Sequence, residues 1–278
     1  METDGRRKIV LAVAPVGVEI APSSLNPLSP EEVAAEVISC ARAGASMVHL
    51  HVRDKAGAQT EDLSVFSRTL ELLRKGSNII IQGSTGGLST LTLEQRCVSL
   101  NDPRVEVASL NMGSANFGEQ VYINTLPDIR YWARRMAEKG IVPEMEVFEA
   151  GMVENIPALT REKVLSPPFY CGFCLGFPGA LPARPVSLFF LCSMLPPSIP
   201  WGLIHHGMKD FSLLACAVAM GAALIRVGFE DSAAFAPGET AKTNTVLVEK
   251  AAGFLRSMGC DIASPAEARS ILGIPGAR

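Results

Sequence analysis

Eight short apolar runs alternate with eight longer helical patterns along this 278-residue chain. The apolar runs are predicted strands and cover residues 9–14, 46–51, 79–82, 105–109, 142–147, 170–175, 201–205 and 224–227. The predicted helices between and after them cover residues 29–44, 62–75, 92–100, 125–139, 152–165, 185–195, 209–220 and 240–258. Eight such units are typical of an α/β (β/α)8 TIM barrel. A doubly wound open sheet is the alternative, but no GxGxxG motif follows the first strand.

The chain carries no linker-like stretch that would divide it. Residues 1–278 are therefore predicted to form a single (β/α)8 barrel domain with a short C-terminal extension, a closing helix near residues 265–272. That helix and the first one begin with similar patterns, Ser264-Pro265-Ala266-Glu267 and Ser29-Pro30-Glu31-Glu32. Each pattern provides an N-cap hydroxyl, a proline at the first helical position and an acidic group near the positive end of the helix dipole.

Two histidines lie side by side at the end of the second predicted strand. His49 and His51 are separated by one residue, so both imidazoles project from the same face of a strand. A pair of imidazoles can bind a divalent metal such as zinc. The alternative interpretation is that both are core histidines held by hydrogen bonds. The chain contains only four histidines. Their pairing at a strand end favours a metal site, since barrel enzymes carry their chemistry there.

Charged residues accompany the eighth predicted strand, which closes against the first strand and lies near the second. Glu230 could complete a set of metal ligands with the two imidazoles and leave one metal position open for substrate. The alternative is that Glu230 is a structural carboxylate at the start of a helix. Asp231 is a candidate general base, with a structural cap as the alternative. Arg226 is expected to face the barrel interior, where a guanidinium needs a carboxylate or an anionic substrate as its partner.

Hydroxyl-bearing, glycine and acidic residues at other strand ends are candidates for substrate binding. The turn Ser84-Thr85-Gly86-Gly87 offers hydroxyls and backbone amides to a carboxylate. Further candidates are Ser109 in strand four, Glu19 after strand one and Glu146 in strand five, which also carries Glu144. Close packing is the alternative for Ser109, and a supporting role is the alternative for both glutamates. His205 and His206 end strand seven but face opposite sides, so they are not predicted to form a second imidazole pair.

Composition excludes several kinds of partner. A net charge of −3 provides no basic surface for nucleic acid and no attraction to an anionic membrane. The most apolar stretches are too short to span a bilayer. The polar first residues predict no secretory leader, and seven scattered cysteines predict free thiols in a reducing cytoplasm. Cys171 and Cys174 have a redox or metal spacing, but no second pair accompanies them, so we predict ordinary core thiols.

Seven segments, in order along nearly the whole chain, resemble the β-keto acid cleavage enzyme family. They cover residues 14–19, 43–54, 84–87, 110–118, 143–152, 226–231 and 264–269. The resemblance implies a zinc-bound (β/α)8 barrel, commonly a homotetramer. Such an enzyme takes a β-keto acid and acetyl-CoA and yields acetoacetate and a new acyl-CoA.

The resemblance also implies roles for the candidate residues. His49, His51 and Glu230 match the zinc ligands. Arg226 and Asp231 match the residues of acid–base chemistry and charge stabilisation. The remaining matches concern the substrate: Ser84 helps to hold its carboxylate, Ser109 stands where a relative has threonine, and Glu19 and Glu146 occupy polar positions of the site.

Other functions stay open at this point. The principal alternative is a CoA-independent metal-dependent aldolase or lyase on the same barrel, which would form products without acetyl-CoA. A metal-dependent hydrolase of the amidohydrolase type also carries a His-x-His strand end, but it needs further histidines from strands five and six, which have none. A non-catalytic barrel that only binds a ligand is a further alternative, but it would not need a base next to an open metal position.

Overall fold

The computed structural model describes residues 5–17, 25–87 and 91–276, and within them eight parallel strands form a closed barrel. The barrel strands are β1 (Lys8–Val13), β2 (Met47–Leu50), β3 (Ile80–Gly83), β4 (Val107–Asn111), β5 (Val142–Val147), β6 (Tyr170–Leu175), β7 (Trp201–His205) and β8 (Leu224–Val227). Each strand pairs with the next, and β8 pairs with β1 from Val10↔Leu224 to Val13↔Val227. The closure confirms the predicted TIM barrel and is incompatible with an open sheet.

Helices follow each barrel strand. They are α1 (Pro30–Ala43), α2 (Ser64–Gly76), α3 (Leu93–Arg96), α4 (Leu126–Lys139), α5 (Ala150–Arg161), α6 (Pro185–Met194), α7 (Ser212–Ala219), α8 (Asn244–Ser257) and α9 (Pro265–Leu272). As the sequence patterns predict, Ser29 and Ser264 form capping boxes with Glu32 and Glu267. Within the described ranges, no helix combines the length and the apolarity needed to cross a membrane.

The barrel interior changes from apolar to polar along the strands. Near the amino ends, the interior is filled by side chains from successive strands: Val10, Ala12, Met47, Ile80, Val107, Val142, Tyr170 and Leu224. Ala268 and Leu272 of α9 belong to the same cluster, so α9 closes this end of the barrel. The candidate site residues lie beyond this layer, toward the carboxyl ends of the strands, where a ligand can enter.

A buried ion cluster fastens α9 beneath the barrel. Arg269 donates to both carboxylate oxygens of Glu106, with distances of 2.6 Å and 2.9 Å. Arg74 of α2 donates to the same carboxylate at 2.9 Å. Two helices are thus tied to one carboxylate beside the amino end of β4.

Four predicted helices differ clearly from the structure in their bounds. The fifth, predicted over residues 152–165, is Ala150–Arg161, and the seventh, predicted over residues 209–220, is Ser212–Ala219. The third and the eighth differ because other elements interrupt or precede them. The third, predicted over residues 92–100, is α3 (Leu93–Arg96) followed by a 3-10 turn over Val98–Asn101. The regular helix stops where Arg96 binds the carbonyl oxygens of Thr85 and Ile123 and where the Ser99 hydroxyl donates to Ser84 O. The eighth, predicted from residue 240, begins at Asn244 because a short hairpin, Ala234–Ala236 with Glu239–Thr240, precedes it.

Candidate active site and metal centre

The turn after β8 brings an acidic loop over the end of β1. Gly228 adopts a φ of 138°, and a Cβ there would overlap the Ala14 carbonyl. The Glu230 amide donates to Ala14 O at 3.1 Å. Asn244, the first residue of α8, accepts from Phe229 N at 2.8 Å and donates to Pro15 O at 3.0 Å. These backbone contacts place the Glu230 side chain beside β2.

His49, His51 and Glu230 bring three donor atoms together. His49 Nε2 and His51 Nε2 lie 3.3 Å apart. Glu230 Oε1 lies 3.5 Å from His49 Nε2 and 3.6 Å from His51 Nε2. Zinc bonds of about 2.0–2.1 Å in a tetrahedron separate the ligand atoms by about 3.3 Å. The three atoms therefore fit one zinc ion with little movement.

The two imidazoles differ in surroundings. Burial lowers the pKa of His49 to about 3, so this ring is neutral at physiological pH, the form that binds a metal. Its Nδ1 donates to Gln82 Oε1 at 2.9 Å, which leaves the Nε2 lone pair facing His51 and Glu230. His51 and Glu230 remain 15% and 17% exposed, so the group opens to solvent on their side.

The second nitrogen of His51 faces an amide nitrogen. Gln59 Nε2 lies 3.0 Å from His51 Nδ1 and 3.0 Å from Gly86 O. In this arrangement the amide donates to both atoms, and the His51 proton resides on Nε2. Ligation through Nε2 therefore requires the His51 proton to move to Nδ1 and the Gln59 amide to present its oxygen.

Arg226 and Asp231 form a buried pair next to His49, His51 and Glu230, called the donor group below. Arg226 Nε and Nη2 donate to the two Asp231 carboxylate oxygens at 2.8 Å and 2.5 Å. Arg226 Nη2 also lies 3.4 Å from Glu230 Oε1. Among the described residues, Arg226 Nη1 is buried and has no hydrogen-bond partner. The guanidinium thus retains a donor for a ligand atom.

Two glutamates on β5 point into the same end of the barrel. Burial, together with the nearby Glu144, raises the pKa of Glu146 to about 8. Burial also raises the pKa of Glu144. Asp231 has a raised pKa because burial outweighs the opposing charge of Arg226. Glu146 therefore keeps a proton at neutral pH and can donate a hydrogen bond.

The turn after β3 differs from the nest of free amides that its sequence predicts. The Thr85 amide donates to Ser109 Oγ at 3.2 Å, and the Gly86 amide donates to Ser84 Oγ at 3.0 Å. The Thr85 hydroxyl donates to Ser109 O at 2.6 Å, so it fastens the turn to β4. Two amides are thus satisfied internally. The Ser84 and Ser109 hydroxyls, 3.5 Å apart, are the groups that remain for a substrate.

Two polar side chains that the sequence analysis did not single out surround Gly86. A Cβ on Gly86 would lie 2.5 Å from the Tyr122 hydroxyl and 3.6 Å from Asn111 Nδ2. Both polar atoms of the Asn111 side chain are buried and without a hydrogen-bond partner in the described part of the chain. Asn111 lies two residues after Ser109 on β4, so strand alternation would have indicated it.

The remaining predicted residues do not join the donor group. The His206 ring stacks on Phe177 with centroids 4.5 Å apart, and His205 Nδ1 is buried without a partner in the described ranges. Cys171 and Cys174 are buried free thiols whose pKa values burial raises well above the ordinary range. Glu19 lies outside the described residues.

The closed (β/α)8 barrel and the polar residues at the carboxyl ends of its strands define a TIM-barrel enzyme. A family model for the beta-keto acid cleavage enzyme matches residues 8–274. A 3-keto-5-aminohexanoate cleavage enzyme of Fusobacterium nucleatum is 35% identical, over 96% of this chain and 98% of that protein. The chain belongs to the β-keto acid cleavage enzyme family, as its sequence predicts.

Two further similarities concern a relative in sequence and a solved structure of the same fold. A 3,5-dioxohexanoate:acetyl-CoA acetone transferase of Paraburkholderia graminis is 29% identical, over 98% of this chain and 97% of that protein. The apo structure of ObcA superposes with a TM-score of 0.76 at 21% identity and covers 91% of this chain. This chain spans 66% of the ObcA chain, and at this identity the likeness shows the fold alone.

Proposed function

We propose that this protein transfers the acyl part of a β-keto acid to CoA, using acetyl-CoA as co-substrate and zinc as cofactor. The products are acetoacetate and a new acyl-CoA. The observation that carries the proposal is the His49, His51 and Glu230 donor group beside the buried Arg226–Asp231 pair. The names of the two relatives, one a cleavage enzyme and the other an acetyl-CoA transferase, support it.

The overall conversion defines what the residues must do. The C2 carbon of the β-keto acid loses a proton and bonds to the acetyl carbon, and CoA leaves as a thiolate. The thiolate then adds to the original keto carbon, the C2–C3 bond breaks, and C2 of the departing acetoacetate regains a proton. The acyl group thereby moves to CoA, and no electron donor or acceptor is needed.

Asp231 is the base that we propose for the C2 proton. Burial raises its pKa, which suits a group that both takes and returns a proton. Arg226 holds the carboxylate with two hydrogen bonds and keeps Nη1 for an anionic oxygen of the substrate. Zinc, when bound, would polarise the keto oxygen and stabilise negative charge that develops there.

The substrate carboxylate is proposed to lie at the turn after β3. Ser84 and Ser109 offer hydroxyls there, while Thr85 and Gly86 give the turn its shape. Glu146, whose pKa burial raises, is proposed to donate a hydrogen bond to the substrate. Glu19 remains a proposed contact for a polar end of the substrate.

Mass spectrometry of zinc-loaded protein with a panel of β-keto acids tests the reaction, with and without acetyl-CoA. Acetoacetate and a new acyl-CoA should appear together only when acetyl-CoA is present. Cleavage without acetyl-CoA would instead establish the CoA-independent lyase. The variant Asp231→Asn should lose activity, while Asp62→Asn, the same change at an exposed carboxylate, should keep it.

We also propose that residues 1–278 act as one barrel domain with α9 as its extension, in a cytoplasmic homotetramer. Three apolar side chains of α6 support a contact between copies, since Val186, Phe189 and Phe190 are 68%, 65% and 50% exposed. Light scattering of the purified protein tests the tetramer.

A further inference from the structure

A row of buried polar side chains extends from His49 to the far side of the barrel. It runs from His49 on β2 to Gln82 on β3, and on to Glu144 on β5 and Tyr170 on β6. All four residues are at most 2% exposed. The row begins at a proposed metal ligand and ends on strands that provide none of the three donor atoms.

Gln82 occupies the central position of this row. Its Oε1 accepts from His49 Nδ1 at 2.9 Å. Its Nε2 donates to Glu144 Oε2 and, at 3.2 Å, to the Tyr170 hydroxyl. The Tyr170 hydroxyl in turn points its hydrogen toward Met47 Sδ at 3.5 Å, which leaves its oxygen free to accept from Gln82.

These contacts determine which way the Gln82 amide points. A carboxyl oxygen and a hydroxyl oxygen whose own hydrogen points toward Met47 both face one end of the amide, so that end is the NH2 group. An ionised Glu144 can only accept a hydrogen bond, and the Tyr170 hydrogen is directed to Met47, so both contacts favour the NH2 group on this side. The oxygen of the amide is consequently directed to His49, which must carry its proton on Nδ1.

The shape of the barrel holds Glu144 in place. A Cβ on Gly172, its neighbour on β6, would lie 2.8 Å from Glu144 Oε1 and 3.2 Å from its carboxyl carbon. The carboxyl group thus lies directly against the backbone of Gly172, and a larger residue there would displace it. The row is therefore a packed arrangement and not a chance contact between flexible side chains.

We propose that Gln82 is a positioning residue for the metal, and that Glu144 and Tyr170 orient it. Gln82 holds His49 in the tautomer whose Nε2 lone pair faces the other two ligands, before any ion arrives. The inference rests on the metal centre of the proposed function. It adds three residues that are neither proposed metal ligands nor proposed substrate contacts to the parts of the chain that determine metal affinity.

Zinc affinity, measured by competition with a chromophoric chelator, tests the inference without an activity assay. Loss of such a supporting hydrogen bond typically weakens metal binding by about 10- to 100-fold, and we expect Gln82→Leu to do so. The matched control is Gln120→Leu, the same change at an exposed position, which should leave zinc affinity unchanged. A loss smaller than about threefold in Gln82→Leu would overturn the proposal.

A second pair of variants keeps the test valid if Gln82→Leu fails to fold. Glu144→Gln retains an oxygen that can accept from Gln82, so zinc affinity should stay close to that of the unchanged protein. Glu144→Leu removes the acceptor, and affinity should fall. Equal affinities in these two variants would refute the role of Glu144.

Nitrogen NMR of the histidine rings in the metal-free protein gives a readout that general destabilisation would not produce. We expect the His49 proton on Nδ1 in the unchanged protein and a mixture of tautomers in Gln82→Leu. The variant His49→Ala separates two failures. If it binds zinc as well as the unchanged protein, the metal centre itself is wrong. If it loses zinc while Gln82→Leu does not, only the positioning role is wrong.

Discussion

The raised pKa of Glu146 makes the stability of the metal-free protein depend on pH. Burial and the neighbouring Glu144 raise this pKa from an ordinary 4.5 to about 8. Between these two values the unfolded chain loses the proton while the folded chain keeps it. The folded state then binds more protons, so the free energy of unfolding falls as the pH rises through this window.

The variant Glu146→Gln should remove this dependence, because glutamine resembles the protonated carboxyl at every pH. The difference between 4.5 and about 8 corresponds to about 5 kcal/mol at 1.36 kcal/mol per pKa unit, as an upper limit. Relaxation and water entry around an ionised carboxylate reduce this, and we expect the variant to be more stable by about 2–4 kcal/mol at pH 9. At pH 5 the two proteins should differ little.

Urea unfolding of the chelator-treated protein at pH 5, 7 and 9 measures this difference through the fluorescence of Trp132 and Trp201. The control Glu154→Gln, at an exposed position, should change the free energy of unfolding by a similar small amount at each pH. A Glu146→Gln effect that is constant from pH 5 to pH 9, or that favours the unchanged protein at pH 9, would refute the reasoning.

Three further changes test other parts of the structure. Glu106→Gln leaves Arg269 without its buried carboxylate and should cost about 3–5 kcal/mol in urea unfolding; a cost below about 1 kcal/mol would contradict this. In Gln59→Glu a carboxylate would accept the proton that a zinc-bound His51 carries on Nδ1, so zinc affinity, measured by chelator competition, should rise. Weaker zinc binding would contradict the inference that the Gln59 amide must present its oxygen to His51. Asp231→Asn should lower kcat for acyl-CoA formation by about 10²- to 10⁴-fold, and a loss under tenfold would exclude it as the base.

The barrel could be predicted because its strands are buried on both faces and read as apolar runs. Some element boundaries differ from the prediction. The fourth strand, predicted over residues 105–109, is Val107–Asn111, and Glu106 instead serves the ion cluster beneath the barrel. The hairpin Ala115–Phe117 with Gln120–Tyr122 was not predicted at all, since three-residue strands are too short to show a period.

The convergence of His49, His51 and Glu230 follows from topology, because the carboxyl ends of all barrel strands meet at one rim. The supporting amides were harder to recognise. Gln82 lies on the same strand face as Ser84, but an uncharged amide inside an apolar run gives no chemical signal of its own. Gln59 lies in the segment after β2, where no periodicity relates it to His51. Their importance depends on contacts between strands that only the folded chain provides.

Charge balance links the proton on Glu146 to the proposed metal ion. Four carboxyl groups act on one another and on Arg226 at the carboxyl ends of the strands: Glu144, Glu146, Glu230 and Asp231. Without a cation, retention of a proton by Glu146 reduces this excess of negative charge. A divalent ion held by Glu230 and the two imidazoles would do the same and would lower the cost of ionising Glu146. The proton on Glu146 and the bound ion relieve the same repulsion, so binding of the ion should lower the pKa of Glu146. The stability difference between Glu146→Gln and the unchanged protein should therefore depend less on pH in the zinc-loaded protein than in the metal-free one.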